Sequence, residues 1–156
     1  MIRFVPQRFG VRALVAIAFL GLAAFASAGE YFETEGLALR GYDPVSYFTA
    51  GKPERGLPQH SHVHEGSKFL FASAENRALF VANPDKYAPQ FGGYCAFGTA
   101  RGYKVSTSPD AFSVVDGKLY LNYNSEVVKI WKQDVPGNIA LAEKNWPEVR
   151  KTEPKD

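Results

Sequence analysis

Apolar and polar residues alternate most regularly in "AFSVVDGKLYLNY" (residues 111–123). Two runs of period two flank Asp116-Gly117, a pair that favours the type I′ turn of a two-residue hairpin. The expected register sets Val114 opposite Leu119 and Phe112 opposite Leu121 on a core face, leaving Ser113, Val115, Lys118 and Tyr120 on the other. A second hairpin is expected in "HSHVHEGSKFLFAS" (residues 60–73), turning at Glu65-Gly66. A two-residue turn there pairs His64 with Ser67, His62 with Phe69 and His60 with Phe71. Three histidines then share one face with two phenylalanines.

Helical spacing follows both hairpins. Ser73 is placed to cap a helix over "AENRALFVAN", with Pro84 as its stop. Further on, Val127, Ile130 and Trp131 form a stripe after a Ser125 cap and before Pro136-Gly137. Ile139, Ala142 and Trp146 repeat it after an Asn138 cap and before Pro147. Both tryptophans read as core anchors. The expected fold is α+β: a small antiparallel sheet, with hairpins near 60–72 and 111–123, packed with several short helices. One domain is expected over 39–149, between a flexible N-terminus at 29–38 and a charged tail at 150–156.

Charge changes the picture at the N-terminus. Arg3, Arg8 and Arg12 precede an apolar run from Ala13 to Phe25, and Ala26-Ser27-Ala28 fits cleavage before Gly29, so residues 1–28 read as a secretory signal peptide. The run is about a dozen residues, short of the roughly 20 that span a bilayer. Removing the leader takes three of 18 basic residues and none of 16 acidic ones, leaving a formal charge of −1. The expected location is the periplasm, with no membrane association after cleavage and no nucleic-acid partner. Met1, the only methionine, leaves too, which excludes a methionine-rich copper site from the mature chain. A single cysteine, Cys95, excludes an internal disulfide.

Three segments in order, "GYDPVSYF" (41–48), "GSKFLFASAENRALFVANPDKYAPQFGGYCAFG" (66–98) and "VVDGKLYLN" (114–122), resemble the exported, single-domain branch of the YHS domain family. The resemblance spans roughly Leu39 to Val149. It implies a small α+β domain and metal binding, with Tyr42-Asp43-Pro44, His64 and Gly92-Gly93-Tyr94-Cys95 as the branch's signature. Metal-associated relatives carry cysteines at positions matching Ser46, Ala72 and the Glu75-Asn76 pair, so this chain lacks their thiolate cluster.

Several chemistries remain open on these residues. Cys95 with His64 and His62 forms a candidate mixed sulfur–nitrogen site for Cu(I) or Zn(II), since alternate residues on one strand point the same way. His60 lies on the same face, too far along the strand to share that ion readily. A small ligand near Tyr42, Asp43, Gly93 and Tyr94 is the companion reading, because paired glycines permit close approach of a ligand to the backbone. A thiol-dependent enzyme would use Cys95 as nucleophile, His64 as base, Asp43 to orient it and the Gly92-Gly93 backbone as donor. A protein-interaction domain would use Tyr42, Tyr47, Tyr94 and Tyr103 and leave Cys95 buried and inert. Phosphate-loop, dinucleotide and nucleophile-elbow motifs are absent. Binding rather than turnover is the expected function.

Overall fold

The computed structural model describes residues Glu30–Lys155, so the expected signal peptide lies outside the described residues. In chain order the elements are β1 (Glu33–Thr34), β2 (Leu37–Ala38), a 3-10 turn (Leu39–Gly41), α1 (Ser46–Thr49), β3 (Leu57–His64), β4 (Ser67–Phe71), α2 (Ala74–Ala82), α3 (Pro84–Tyr87), a second 3-10 turn (Gln90–Gly93), α4 (Ala96–Ala100), β5 (Phe112–Val115), β6 (Lys118–Leu121), α5 (Ser125–Trp131) and α6 (Val135–Val149). The strands pair as three antiparallel two-stranded ribbons, β1-β2, β3-β4 and β5-β6. The architecture is α+β, as expected.

β6 divides the core because its side chains alternate. Leu119 and Leu121 enter a cluster with Tyr31, Val45, Tyr47, Phe69, Phe71 and Phe80, while Tyr120 enters a second with Phe91, Ala96 and Trp131. Asp116 (φ 49°) and Gly117 (φ 73°) make the expected turn, and Val114 pairs with Leu119 and Phe112 with Leu121. The facing assignment needs correction on both sides: Tyr120 is buried, and Val114 is 40% exposed. Helices cover β6 on both faces, whereas β5 lies at the rim.

The β3-β4 hairpin keeps its expected register at His64↔Ser67 and His62↔Phe69. It loses it at His60, because Leu57 rather than His60 opposes Phe71 across a bulge between Leu57 and Ser61. Extra residues in one strand release the ladder there and re-aim the side chains.

Ser73 caps α2 as expected, its hydroxyl accepting from the Asn76 amide at 3.0 Å. The last two helices start differently. Asn124, not Ser125, caps α5 by accepting from the Val127 amide at 2.9 Å. Asp134 caps α6, accepting from the Gly137 amide at 3.0 Å, so Pro136 falls in the first turn, where a missing N–H costs nothing. Asn138 instead donates to the Trp131 carbonyl at 3.1 Å, tying α6 to the end of α5. Pro147 does not end α6, which continues to Val149; burial of that valine outweighs the proline's local preference.

The N-terminal segment is packed rather than loose from Tyr31 onward. Tyr31 and Ala38 are core residues, and the Phe32 amide donates to the Gly92 carbonyl at 2.7 Å. At the other end the Lys155 amide donates to the Lys104 carbonyl at 2.8 Å. No helix among the described residues is long and apolar enough to cross a membrane.

Candidate functional site

Cys95 is the N-cap residue of α4 and is 1% exposed. Its sulfur accepts from the Gly98 amide at 3.3 Å and donates to the Asn122 side-chain carbonyl at 3.6 Å; the same oxygen accepts from the Phe97 amide at 3.1 Å. Burial pushes the thiol above its ordinary pKa, against an opposing pull from the amides of Gly98, Tyr123 and Phe97. Desolvation wins because the charged form loses more in an apolar interior than these dipoles return. The thiol therefore caps a helix in surroundings that disfavour its thiolate form. On the other side of the same amide, the Asn122 side-chain nitrogen is buried and without a hydrogen-bond partner in the described residues.

The paired glycines preceding Cys95 admit the chain itself. Gly92 and Gly93 follow Phe91 in a left-handed run with φ of 54°, 61° and 75°. A Cβ on Gly92 would lie 2.5 Å from the Glu30 carbonyl oxygen, and one on Gly93 would lie 2.6 Å from a Leu39 methyl. The close approach expected of a ligand is thus made by the N-terminal segment. Tyr94 is likewise taken up internally, its ring against Phe32 with the Lys104 ammonium 4.9 Å from its centroid. Burial raises its pKa.

Asp43 is fully buried, and both carboxylate oxygens are used. One accepts from the Val45 amide at 2.8 Å, the other from the Ala72 amide at 2.9 Å and the Asn76 side chain at 2.6 Å. The Ser46 hydroxyl donates to its backbone carbonyl at 2.7 Å. Ser46, Ala72 and Asn76 thus gather around a hydrogen-bonded carboxylate. Neighbouring Tyr42 lies under the Arg55 guanidinium, 4.4 Å from ring centroid to carbon. The Asp43 carboxylate is thus bonded to two backbone amides and Asn76, with no histidine among these donors.

His62 and His64 do share a face, over aromatic rings. His64 meets Phe80 edge-on at 5.5 Å between centroids and Tyr31 at 6.0 Å, and its Nε2 stands 3.9 Å from a Glu65 carboxylate oxygen. His62 lies 6.3 Å from Phe80; burial, then Arg77, then His64 lower its pKa. Among the described residues no group of three or more His, Cys, Asp or Glu is placed to hold one metal ion. Cys95, His64 and His62 are therefore not assembled as a three-ligand set.

An open cleft lies beside the interior around Cys95 and has little mark in the sequence. Arg40, Ser106, Thr107, Ser108, Pro109, Tyr123 and Asn124 line a cavity of about 520 Å³. Thr107 joins it to the glycine pair before Cys95: its hydroxyl donates to the Gly93 carbonyl at 2.9 Å, while its own carbonyl accepts from Arg40 Nε at 3.0 Å. The Ser108 amide donates to the Asn122 carbonyl at 3.1 Å. The floor of the cleft is thus bonded directly to Gly93 and Asn122, beside Cys95. The polar run "STSPD" (106–110) was its one sequence signal, and nothing in spacing connects it to Arg40 or Tyr123. A smaller hollow of about 290 Å³ is lined in part by Glu30, Tyr31, Glu65 and Asp85, with Glu30 paired to Arg150 at 2.5 Å.

No protein-family model, curated protein or solved structure matches this chain.

Proposed function

We propose that the chain is a periplasmic, YHS-type binding module whose small ligand occupies the Arg40–Asn124 cleft, with Cys95 bracing that cleft rather than reacting. The observation that carries this reading is the direct bonding of the cleft floor to Gly93 through Thr107 and, through Ser108, to Asn122, whose side chain accepts from Cys95. A preformed concave surface with a few convergent polar groups is the usual form of a small-molecule site. Export rests on the arginine-flanked apolar leader.

A Cu(I) or Zn(II) centre on Cys95, His64 and His62 has less behind it. The thiol is occupied by Gly98 and Asn122, and the histidines are edge-on to phenylalanine. Thiol catalysis is disfavoured by the burial and raised pKa of Cys95 and by an Asp43 carboxylate bonded to backbone amides and Asn76 rather than to a histidine.

The test is amide chemical-shift mapping of the protein against a set of small polar molecules, charged and neutral, and against Zn(II) alone. The proposal expects shifts converging on residues 40, 106–109 and 123–124. Zn(II)-induced shifts centred on His62, His64 and Cys95, with the cleft silent to every molecule, would overturn it.

A further inference from the structure

From the groups that line the cleft, and resting on the binding-module reading, we infer that the ligand is a small organic oxyanion, a carboxylate or phosphate gripped by the Arg40 guanidinium. Arg40 is fixed from several sides. Its backbone is left-handed (φ 55°, ψ 24°), between Leu39 (φ 52°) and Gly41 (φ 75°). Such backbone is sparsely populated by residues other than glycine and persists only where the surroundings enforce it. Here the Arg40 carbonyl accepts from Arg55 Nη1 at 3.1 Å, Nε donates to Thr107, and the guanidinium carbon lies 5.2 Å from the Phe32 ring centroid.

These restraints use Nε and leave the two terminal nitrogens without a protein acceptor among the described residues. Arg40 is half-buried and forms no ion pair with any described carboxylate. Partial burial of an uncompensated cation is unfavourable, and a ligand that brings the counter-charge relieves it. The terminal nitrogens form a planar fork that matches two oxygens of a carboxylate or phosphate.

The rest of the lining agrees in chemistry. Ser106, Ser108 and Asn124 bring hydroxyl and amide donors, no carboxylate lines the cleft, and Asp110, the nearest acid along the loop, is outside it. Tyr123, 48% exposed, stands at the rim and offers a flat apolar surface to the ligand body. Arg40, Thr107 and Tyr123 therefore supply charge, anchorage and a stacking wall at one place.

Calorimetric titration of the full protein with benzoate, inorganic phosphate and the neutral isostere benzamide tests this. The expected result is saturable binding of benzoate or phosphate that weakens as salt is raised, with benzamide at least about tenfold weaker. Preference between the two anions separates a carboxylate from a phosphate source. Arg40→Gln should lower anion affinity about tenfold to a hundredfold, and Arg40→Lys, which keeps charge but loses the fork, should recover only part of it. Far-UV circular dichroism checks that the variants fold, and the salt series on unaltered protein stands if they do not. Equal binding of benzamide and benzoate, or salt-independent anion binding, overturns the inference while leaving the binding module intact. No saturable binding of either anion up to about 10 mM also overturns it. The module reading itself falls only if neutral molecules also leave the cleft unshifted.

Discussion

Cys95 and Arg40 lie on the two sides of Thr107, and their surroundings differ in access: the Cys95 thiol is bonded inside a closed interior, and the Arg40 guanidinium borders an open cleft. Around Cys95 the sulfur, the Asn122 carbonyl oxygen and the amides of Phe97 and Gly98 satisfy one another in a closed interior. At Arg40, among the described residues, Nε alone has a hydrogen-bond acceptor, beside an open cleft of about 520 Å³. The residues that stand out in sequence, "GGYC", thus build the scaffold. The bonding capacity that faces the open cleft belongs to an arginine and a serine-threonine loop that stand out little.

The comparison breaks first at Asn122. Asn122→Ala leaves the partly buried Phe97 amide and the buried Cys95 thiol without their acceptor and opens a void, and should destabilise the protein by about 2–3 kcal/mol in urea denaturation. A loss below about 0.5 kcal/mol would mean that the interior is not closed as described.

Cys95→Ser should cost less, about 1 kcal/mol, because serine keeps the helix-capping acceptor but places a more polar group in an apolar setting. Its affinity for benzoate and its Zn(II) uptake should match those of the unaltered protein. Loss of a stoichiometric metal in this variant would return the mixed-ligand centre to the foreground.

Thr107→Val is the intermediate case, since it removes the hydroxyl bonded to Gly93 and keeps the carbonyl that holds Arg40. It should cost about 1 kcal/mol and weaken benzoate binding severalfold through a loosened floor. A stability loss with unchanged binding would uncouple the two regions.

The smallest effects are in pH. The folded state raises the Cys95 pKa above its ordinary 9.0, so the unfolded chain loses this proton first. Stability from this group is complete below pH 9.0 and falls as pH climbs through the raised value, a loss absent from Cys95→Ser. His62 has the opposite sign: its lowered pKa means the unfolded chain gains the proton first, so stability present above 6.5 is lost as pH falls through the lowered value. Proton chemical shifts of His62 across pH 5 to 8 should titrate with a midpoint below 6.5.

Elements set by local chemistry were legible in the sequence. Asp116-Gly117 specified its hairpin, and Ser73 specified the start of α2, because each acts on neighbours two or three residues away. Pro136-Gly137 suggests a break between helices, yet the same pair suits a first helical turn once Asp134 is the cap. His60 was misplaced because a bulge alters register without a clear mark in the alternation. The candidate site was hardest to read. Its cleft joins Arg40, residues 106–109 and residues 123–124 from three connecting segments, and long-range assembly leaves no periodicity in sequence.

The most direct test of the central claim, that Cys95 builds the site and does not act in it, is the alkylation rate of native Cys95 by iodoacetamide across a urea series. A structural thiol reacts only when the domain opens, so the rate should be far below that of an unfolded peptide thiol and should rise with urea along the global unfolding curve. Alkylation in native buffer at the rate of a free peptide thiol, insensitive to urea below the transition, would contradict the account and make Cys95 a working residue.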